Sequence, residues 1–154
     1  MIEILDVITI LVAGLMVGNE LAIAAFVHPA FHRLPDDAHA SSAIAVARIL
    51  GRVMPFWYAL VLLLTLIDAF AHWHSSGQVP RLIAASAILW AVSIAYSIGT
   101  LVPINNRIAS WAQQTRPANW KTYRQRWDRL HRWRVLLLVL SYTALIVGIQ
   151  HPGF

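Results

Sequence analysis

No cysteine occurs in the 154 residues, and that excludes disulfides, thiolate metal centres, CxxC redox pairs and covalent haem attachment. Any metal would have to draw on histidine, carboxylate or neutral oxygen donors. Charge is scarce as well: 12% of residues are charged and 58% are hydrophobic, far from the balance of an average soluble domain. Water is therefore not the main solvent of this chain. A third absence lies at the start, where Met1-Ile2-Glu3-Ile4-Leu5-Asp6 has neither the basic opening nor the small-residue cleavage site of a secretory signal. The first apolar run is expected to stay in place as a span.

What is present in place of charge is four long apolar runs, at roughly 4–28, 54–74, 82–102 and 134–150, each close to the ~20 residues that cross a hydrocarbon core. Short connections make consecutive helices antiparallel neighbours. The expected fold is all-α, an integral membrane antiparallel four-helix bundle in which residues 1–154 form one membrane domain. A soluble bundle would need polar faces at helical spacing, and stretches such as Ala59–Ile67 and Val135–Leu140 are apolar nearly all round. The net charge of +5 does not point to nucleic acid, because the basic residues sit between apolar runs instead of along one soluble face. All but Arg81 of the twelve lysines and arginines fall in the first and third connections or, as Arg134 does, where the third connection meets the last run. By the positive-inside rule, the connections at 29–53 and 103–133 face the cytoplasm and both termini face out, as in a bacterial inner membrane. Ala38–Gly51 is alanine-rich and helix-prone, with Asp36 or Asp37 as a cap; it is expected to extend the second span or lie on the membrane. The third connection mixes Trp111, Trp120, Trp127 and Trp133 with arginines, the composition of an interfacial helix. From Trp120 onward that helix should run continuously into the last span.

Polar residues inside the apolar runs are the functional candidates. Gly14-x-x-x-Gly18 with Ala22 makes a small-residue stripe, expected to serve packing within the chain, with a homo-oligomer contact as the other use. Glu20 lies about sixteen residues into the first span, ~24 Å along it. A carboxyl at that depth must be paired, protonated or facing a polar cavity. His28-Pro29 closes the span, with His28 about 80° around the helix from Glu20. Towards the outer surface, Asp68 can pair with His72 four residues on, and His151 should reach the same level, where a second metal site is conceivable. Chain geometry gathers Glu20, His28, Asn105, His131 and Arg134 in the inner leaflet. His131 and Arg134 share a helical face, with Trp127 able to cover His131.

These elements carry a resemblance to a known family. The polar interruption of the first span, Val102-Pro103-Ile104-Asn105-Asn106-Arg107-Ile108 followed by Trp111, and Arg126-Trp127-x-x-Leu130-His131-x-x-Arg134 resemble the anthrone oxygenase family of small four-helix membrane proteins. In fungal relatives that family oxidises an anthrone to an anthraquinone with dioxygen. The resemblance implies functional roles for Asn105, Trp127, His131 and Arg134, and for Glu20 and His28 in the first span.

The function expected is a membrane oxygenase or oxidase acting on a small, flat, apolar substrate, phenolic, anthrone-like or quinol-like, in a pocket at the cytoplasmic side. In this scheme His131 removes a proton, Arg134 and Asn105 stabilise the oxyanion, Glu20 takes or relays a proton, and Trp127 and Trp111 hold the ring. An electron-rich enolate reacts with oxygen without a cofactor. A variant gives Glu20, His28 and His131 to iron or copper, with no HxxxH spacing in its support. The alternative class is a non-catalytic membrane protein that binds haem between His28 and His131, or a quinone, a metal or a small solute. A scaffold without chemistry is the third.

Overall fold

The computed structural model describes residues 2–75, 77–111 and 116–150, and among these all regular structure is helical. Four long helices carry the fold: α1 Ile2–Phe31, α2 Asp36–Ala71, α3 Val79–Ala109 and α4 Trp120–Gln150. Each has a window of mean hydropathy between 1.7 and 2.1, which their length and composition make fit to cross a membrane. Polarity is inverted relative to a soluble bundle. Phe26, Phe56 and Phe70 are 72%, 79% and 82% exposed, while Glu20, Asp68 and His131 are at most 1% exposed. The chain is a membrane protein whose apolar surface meets lipid and whose polar groups lie inside.

The helices outrun the expected spans, chiefly at the arginine-rich end. At 1.5 Å per residue a 36-residue α2 is about 54 Å long, against ~30 Å of hydrocarbon. Ala38–Gly51 is the first part of α2, and Trp120–Trp133 runs without a break into α4, both as the composition requires. Asp36 and Asp37 do not cap α2, however: Pro35 holds that position, with no side-chain cap bond. The two aspartates instead sit in the first turn and reach Lys121 at 2.7 Å and Arg116 at 2.5 Å. These pairs join the starts of α2 and α4. Arg48 closes the same end from α2, donating to the carbonyls of Ala109 at 2.9 Å and Trp111 at 3.3 Å, where the C-terminus of α3 leaves acceptors without helical partners.

Two apolar clusters stack along the bundle. The first, in the lipid-spanning part, joins Ala13, Met16, Val61, Ile83, Trp90 and Leu138. The second lies at the arginine-rich end, where Ala40, Ala43 and Ala47 of α2 leave room for Trp111, Trp120 and Trp127. α3 and α4 pack closely because small residues line their contact. Ser141 Oγ donates to the Ser86 carbonyl at 2.8 Å, and a Cβ on Gly148 would come within 3.0 Å of Ile83. Gly14 serves the same purpose between α1 and α4, since a Cβ there would lie 2.5 Å from the Tyr142 hydroxyl. Gly18 meets nothing within 4 Å.

At the opposite end the expected Asp68–His72 pair does not form. His72 Nε2 instead bonds Asp6 Oδ1 across to α1 at 3.0 Å, because Asp68 turns inward and is fully buried. His151 lies outside the described residues.

α1 and α3 share an irregularity that positions the functional side chains. Each contains a five-residue π-helical turn, Ile23–Val27 in α1 and Ser97–Leu101 in α3. In both, the residue before a proline makes the last wide-turn bond: His28 N–H to Ile23 O before Pro29, and Val102 N–H to Ser97 O before Pro103. Proline lacks the N–H for a regular bond, and its ring collides with the carbonyl four residues back. A widened turn relieves both.

Candidate active site

α1 carries Glu20 into the centre of the bundle, where three side chains from two other helices bond it. Its Oε2 lies 2.5 Å from His131 Nε2 and 2.7 Å from Arg134 Nη2, both on α4; its Oε1 accepts from the Tyr58 hydroxyl of α2 at 3.2 Å. Arg134 Nη1 reaches the Ser97 hydroxyl at 3.5 Å, and its guanidinium lies over the Tyr58 ring, 5.4 Å from the centroid. A carboxylate buried this deeply requires a cation and several donors. Arg134 supplies the charge, and the helical spacing of three from His131 puts both groups on the same oxygen.

His131 is wholly enclosed. Trp127 stacks on it at 4.7 Å between centroids, and His28 packs edge-on at 5.0 Å. That His28 meets His131 at all follows from the π turn. One extra residue in the helix makes His28 in effect about seven positions from Glu20, an offset of roughly 20° and not 80°.

A cavity of about 450 Å³ lies beside Glu20 between α2 and α3, within the roughly 300–1,000 Å³ typical of small-molecule sites. Its walls are mainly apolar, with Met54, Tyr58 and Leu62 on α2 and Ile94, Leu101 and Val102 on α3. Glu20, Ser97, Asn105, Asn106, Trp127 and Arg134 supply the polar groups of its lining. Buried lining residues such as Glu20 and Tyr58 mark its inner end, and exposed ones such as Pro55, Ala59 and Ile98 mark its mouth. The mouth therefore opens sideways, between two helices and towards lipid. Its origin is legible in α2. Pro55 leaves the carbonyl of Gly51 without its helical donor, and Gly51 has no side chain to fill the space. Asn105 approaches there, its Nδ2 donating to the Ala47 carbonyl at 3.1 Å and lying 3.0 Å from where a Gly51 Cβ would be.

Glu20, Asn105, Trp127 and Arg134 thus line one cavity, with His131 directly behind Glu20. Trp111 is not on the cavity wall: it packs edge-on to Tyr123 at 5.9 Å in the second apolar cluster. Of the expected metal set, Glu20 and His131 bond each other and the His28 ring packs against His131. His28 turns Nδ1 towards Asp128 at 3.4 Å, and among the described residues no three histidine or carboxylate side chains converge on a point that could hold a metal ion. The rings of His28 and His131, the expected haem ligands, lie 5.0 Å apart between centroids. Sequence reasoning missed Tyr58 and Ser97, which give no signal in an apolar run. It also missed Asp128, whose place four residues after Arg124 is a visible pairing signal; the two lie 2.5 Å apart.

No curated protein and no solved structure matches the chain. The model of the anthrone oxygenase family matches residues 41–144. That stretch includes most of α2, all of α3 and the greater part of α4, and with them Asn105, Trp127, His131 and Arg134; Glu20 and His28 precede it. The match covers more than half of the chain, and the protein belongs to the anthrone oxygenase family.

Proposed function

We propose that this protein is a membrane oxygenase that takes a flat, apolar, phenolic or anthrone-like substrate from the bilayer and oxidises it with dioxygen. The observation that carries the reading is a buried carboxylate, paired with Arg134, at the inner end of an apolar cavity that opens towards lipid. Dioxygen and a fused-ring phenol both partition into hydrocarbon, so both reach such a mouth without crossing water. Trp127 and the apolar walls hold the ring. Glu20, not His131, is the base that faces the substrate, because His131 is absent from the cavity lining. A C–H bond of the ring methylene breaks, its proton goes to the Glu20 carboxylate, and its electron pair remains as an enolate. The negative charge moves from carboxylate to enolate oxygen while staying beside Arg134 and within reach of Asn105, so it never lacks a compensating donor. Oxygen then bonds to the enolate carbon, the resulting peroxide takes the proton back from Glu20, and the remaining C–H and the O–O bond break as water leaves, so that Glu20 returns to the carboxylate. Overall a CH₂ group and O₂ become C=O and H₂O, with the carbon oxidised by four electrons and both oxygen atoms reduced.

The same cavity supports a second reading, the binding of a quinone or related ring without turnover. Oxygen consumption separates the two. Purified protein in lipid nanodiscs, given a hydroxylated anthrone and air, is expected to consume one O₂ per anthraquinone formed, with the rate lost in Glu20→Gln. Retained binding of the anthrone with no rate above the protein-free control would leave the binding reading in place of the oxygenase.

A further inference from the structure

The oxidation proposed for the cavity ends on a step that moves two protons. The remaining C–H of the peroxide-bearing carbon gives its proton to a base, and the distal oxygen, leaving as hydroxide when the O–O bond breaks, must gain one. Glu20 is placed for the first transfer. Its Oε2 is held by His131 at 2.5 Å and Arg134 at 2.7 Å, which leaves Oε1, with a single bond from Tyr58, as the oxygen open to a proton. The second transfer needs a donor on the cavity wall. Of the polar groups there, the amides of Asn105 and Asn106, the Trp127 indole and the Arg134 guanidinium hold their protons throughout the range of cellular pH. The Ser97 hydroxyl is committed to the Ser93 carbonyl at 2.7 Å. Tyr58 remains: it lines the same wall, and its hydroxyl lies 3.2 Å from Glu20 Oε1.

We propose that Tyr58 is the acid that protonates the leaving oxygen, and that Glu20 restores its proton; the proposal rests on the oxygenase reading of the cavity. While Glu20 is a carboxylate, the Tyr58 hydroxyl donates to Oε1. Once Glu20 has taken the second C–H proton, that oxygen no longer needs a donor, and the Tyr58 O–H turns to the distal peroxide oxygen, two bonds from the reacting carbon. The C–H electron pair becomes the second bond of C=O, the O–O pair leaves with the distal oxygen, and the Tyr58 proton makes that oxygen water. The tyrosinate then takes the proton from Glu20, so both groups return to their starting states. Carbon is oxidised by two electrons in this step and the peroxide is reduced by two. Tyr58 is held in place by contacts that spare its hydroxyl: its ring lies 6.0 Å from that of Trp90 and 5.4 Å from the Arg134 guanidinium, and Trp90 Nε1 donates to its backbone carbonyl at 3.2 Å.

Tyr58→Phe removes the hydroxyl and keeps the ring against Trp90 and Arg134. In lipid nanodiscs with a hydroxylated anthrone and air, this variant is expected to go on consuming O₂ above the protein-free control. It should accumulate a peroxide heavier than the substrate by one O₂, seen by mass spectrometry, while anthraquinone forms more slowly on the order of a hundredfold, the scale of losing one general acid. A merely structural role would lower oxygen uptake and product together, with no peroxide. That result, or anthraquinone formed at the wild-type rate, would overturn the assignment and leave the oxygenase reading standing. If Tyr58→Phe fails to fold, a fluorinated tyrosine in place of Tyr58, nearly the same shape but more acidic, decides: a changed rate of peroxide breakdown upholds the role, and an unchanged one overturns it. Wild-type protein that oxidises no anthrone would sink both readings together.

Discussion

At the scale of single residues, the Glu20–Arg134 pair sets both stability and chemistry. A buried ion pair adds little net stability over an apolar substitute, but removing one partner strands the other, at a cost of about 3–5 kcal/mol. Glu20→Gln is therefore expected to lower the thermal midpoint sharply and abolish turnover, because Arg134 is 9% exposed and keeps its charge. Arg134→Met added to Glu20→Gln removes the stranded charge and should recover most of the midpoint with no activity. Thermal unfolding of the two single variants and the double one checks this. Strictly additive losses would show that the two groups do not depend on each other. Much of this site was legible in the sequence: a lone carboxyl deep in a span, and a histidine and arginine three apart on a late helix, are rare enough to stand out. Its internal order was not. Which of two nearby groups faces a cavity depends on the rotation of each helix by a few tens of degrees, and apolar flanks all round, as in α1, give no rotational signal.

At the scale of elements, the π turns decide what meets what. Pro29 and Pro103 announce a bend, yet a kink and a widened turn look alike in sequence, and only the second brings His28 back over Glu20 and places Ser97 and Asn105 on one wall. The 80° offset expected between Glu20 and His28 fails for this reason alone. Pro29 is exposed, so its side chain is not what holds the bundle together. In Pro29→Ala the new N–H can bond Ala25 and the clash with that carbonyl disappears, so the turn should tighten to a regular helix. Stability is expected to rise by up to about 3 kcal/mol, the usual penalty of an interior proline. Turnover should fall as His28 swings off His131, the exchange of stability for activity seen where a site stores strain. Paired measurements of thermal midpoint and anthrone oxidation test it. A lower midpoint with unchanged turnover would show that the turn owes nothing to the proline.

At the scale of the whole molecule, the element count, the continuity of α2 and α4 through their connections and the apolar exterior were all readable, because lipid demands long uninterrupted helices and leaves no other architecture for these four runs. Orientation across the membrane is an expectation from the arginine distribution. The absence of cysteine makes a direct test possible, since any introduced thiol is unique. Ser75, in the connection between α2 and α3, and Ser110, just after α3, are both exposed and sit at opposite ends of the bundle. With the arginine-rich end in the cytoplasm, Ser75→Cys should react with a membrane-impermeant maleimide in intact cells, and Ser110→Cys only after permeabilisation. The reverse pattern would invert the topology and put His32 in the outer phase. Labelling of both from outside would mean that the chain inserts in two orientations, and that the excess of arginine at one end is not enough to choose between them.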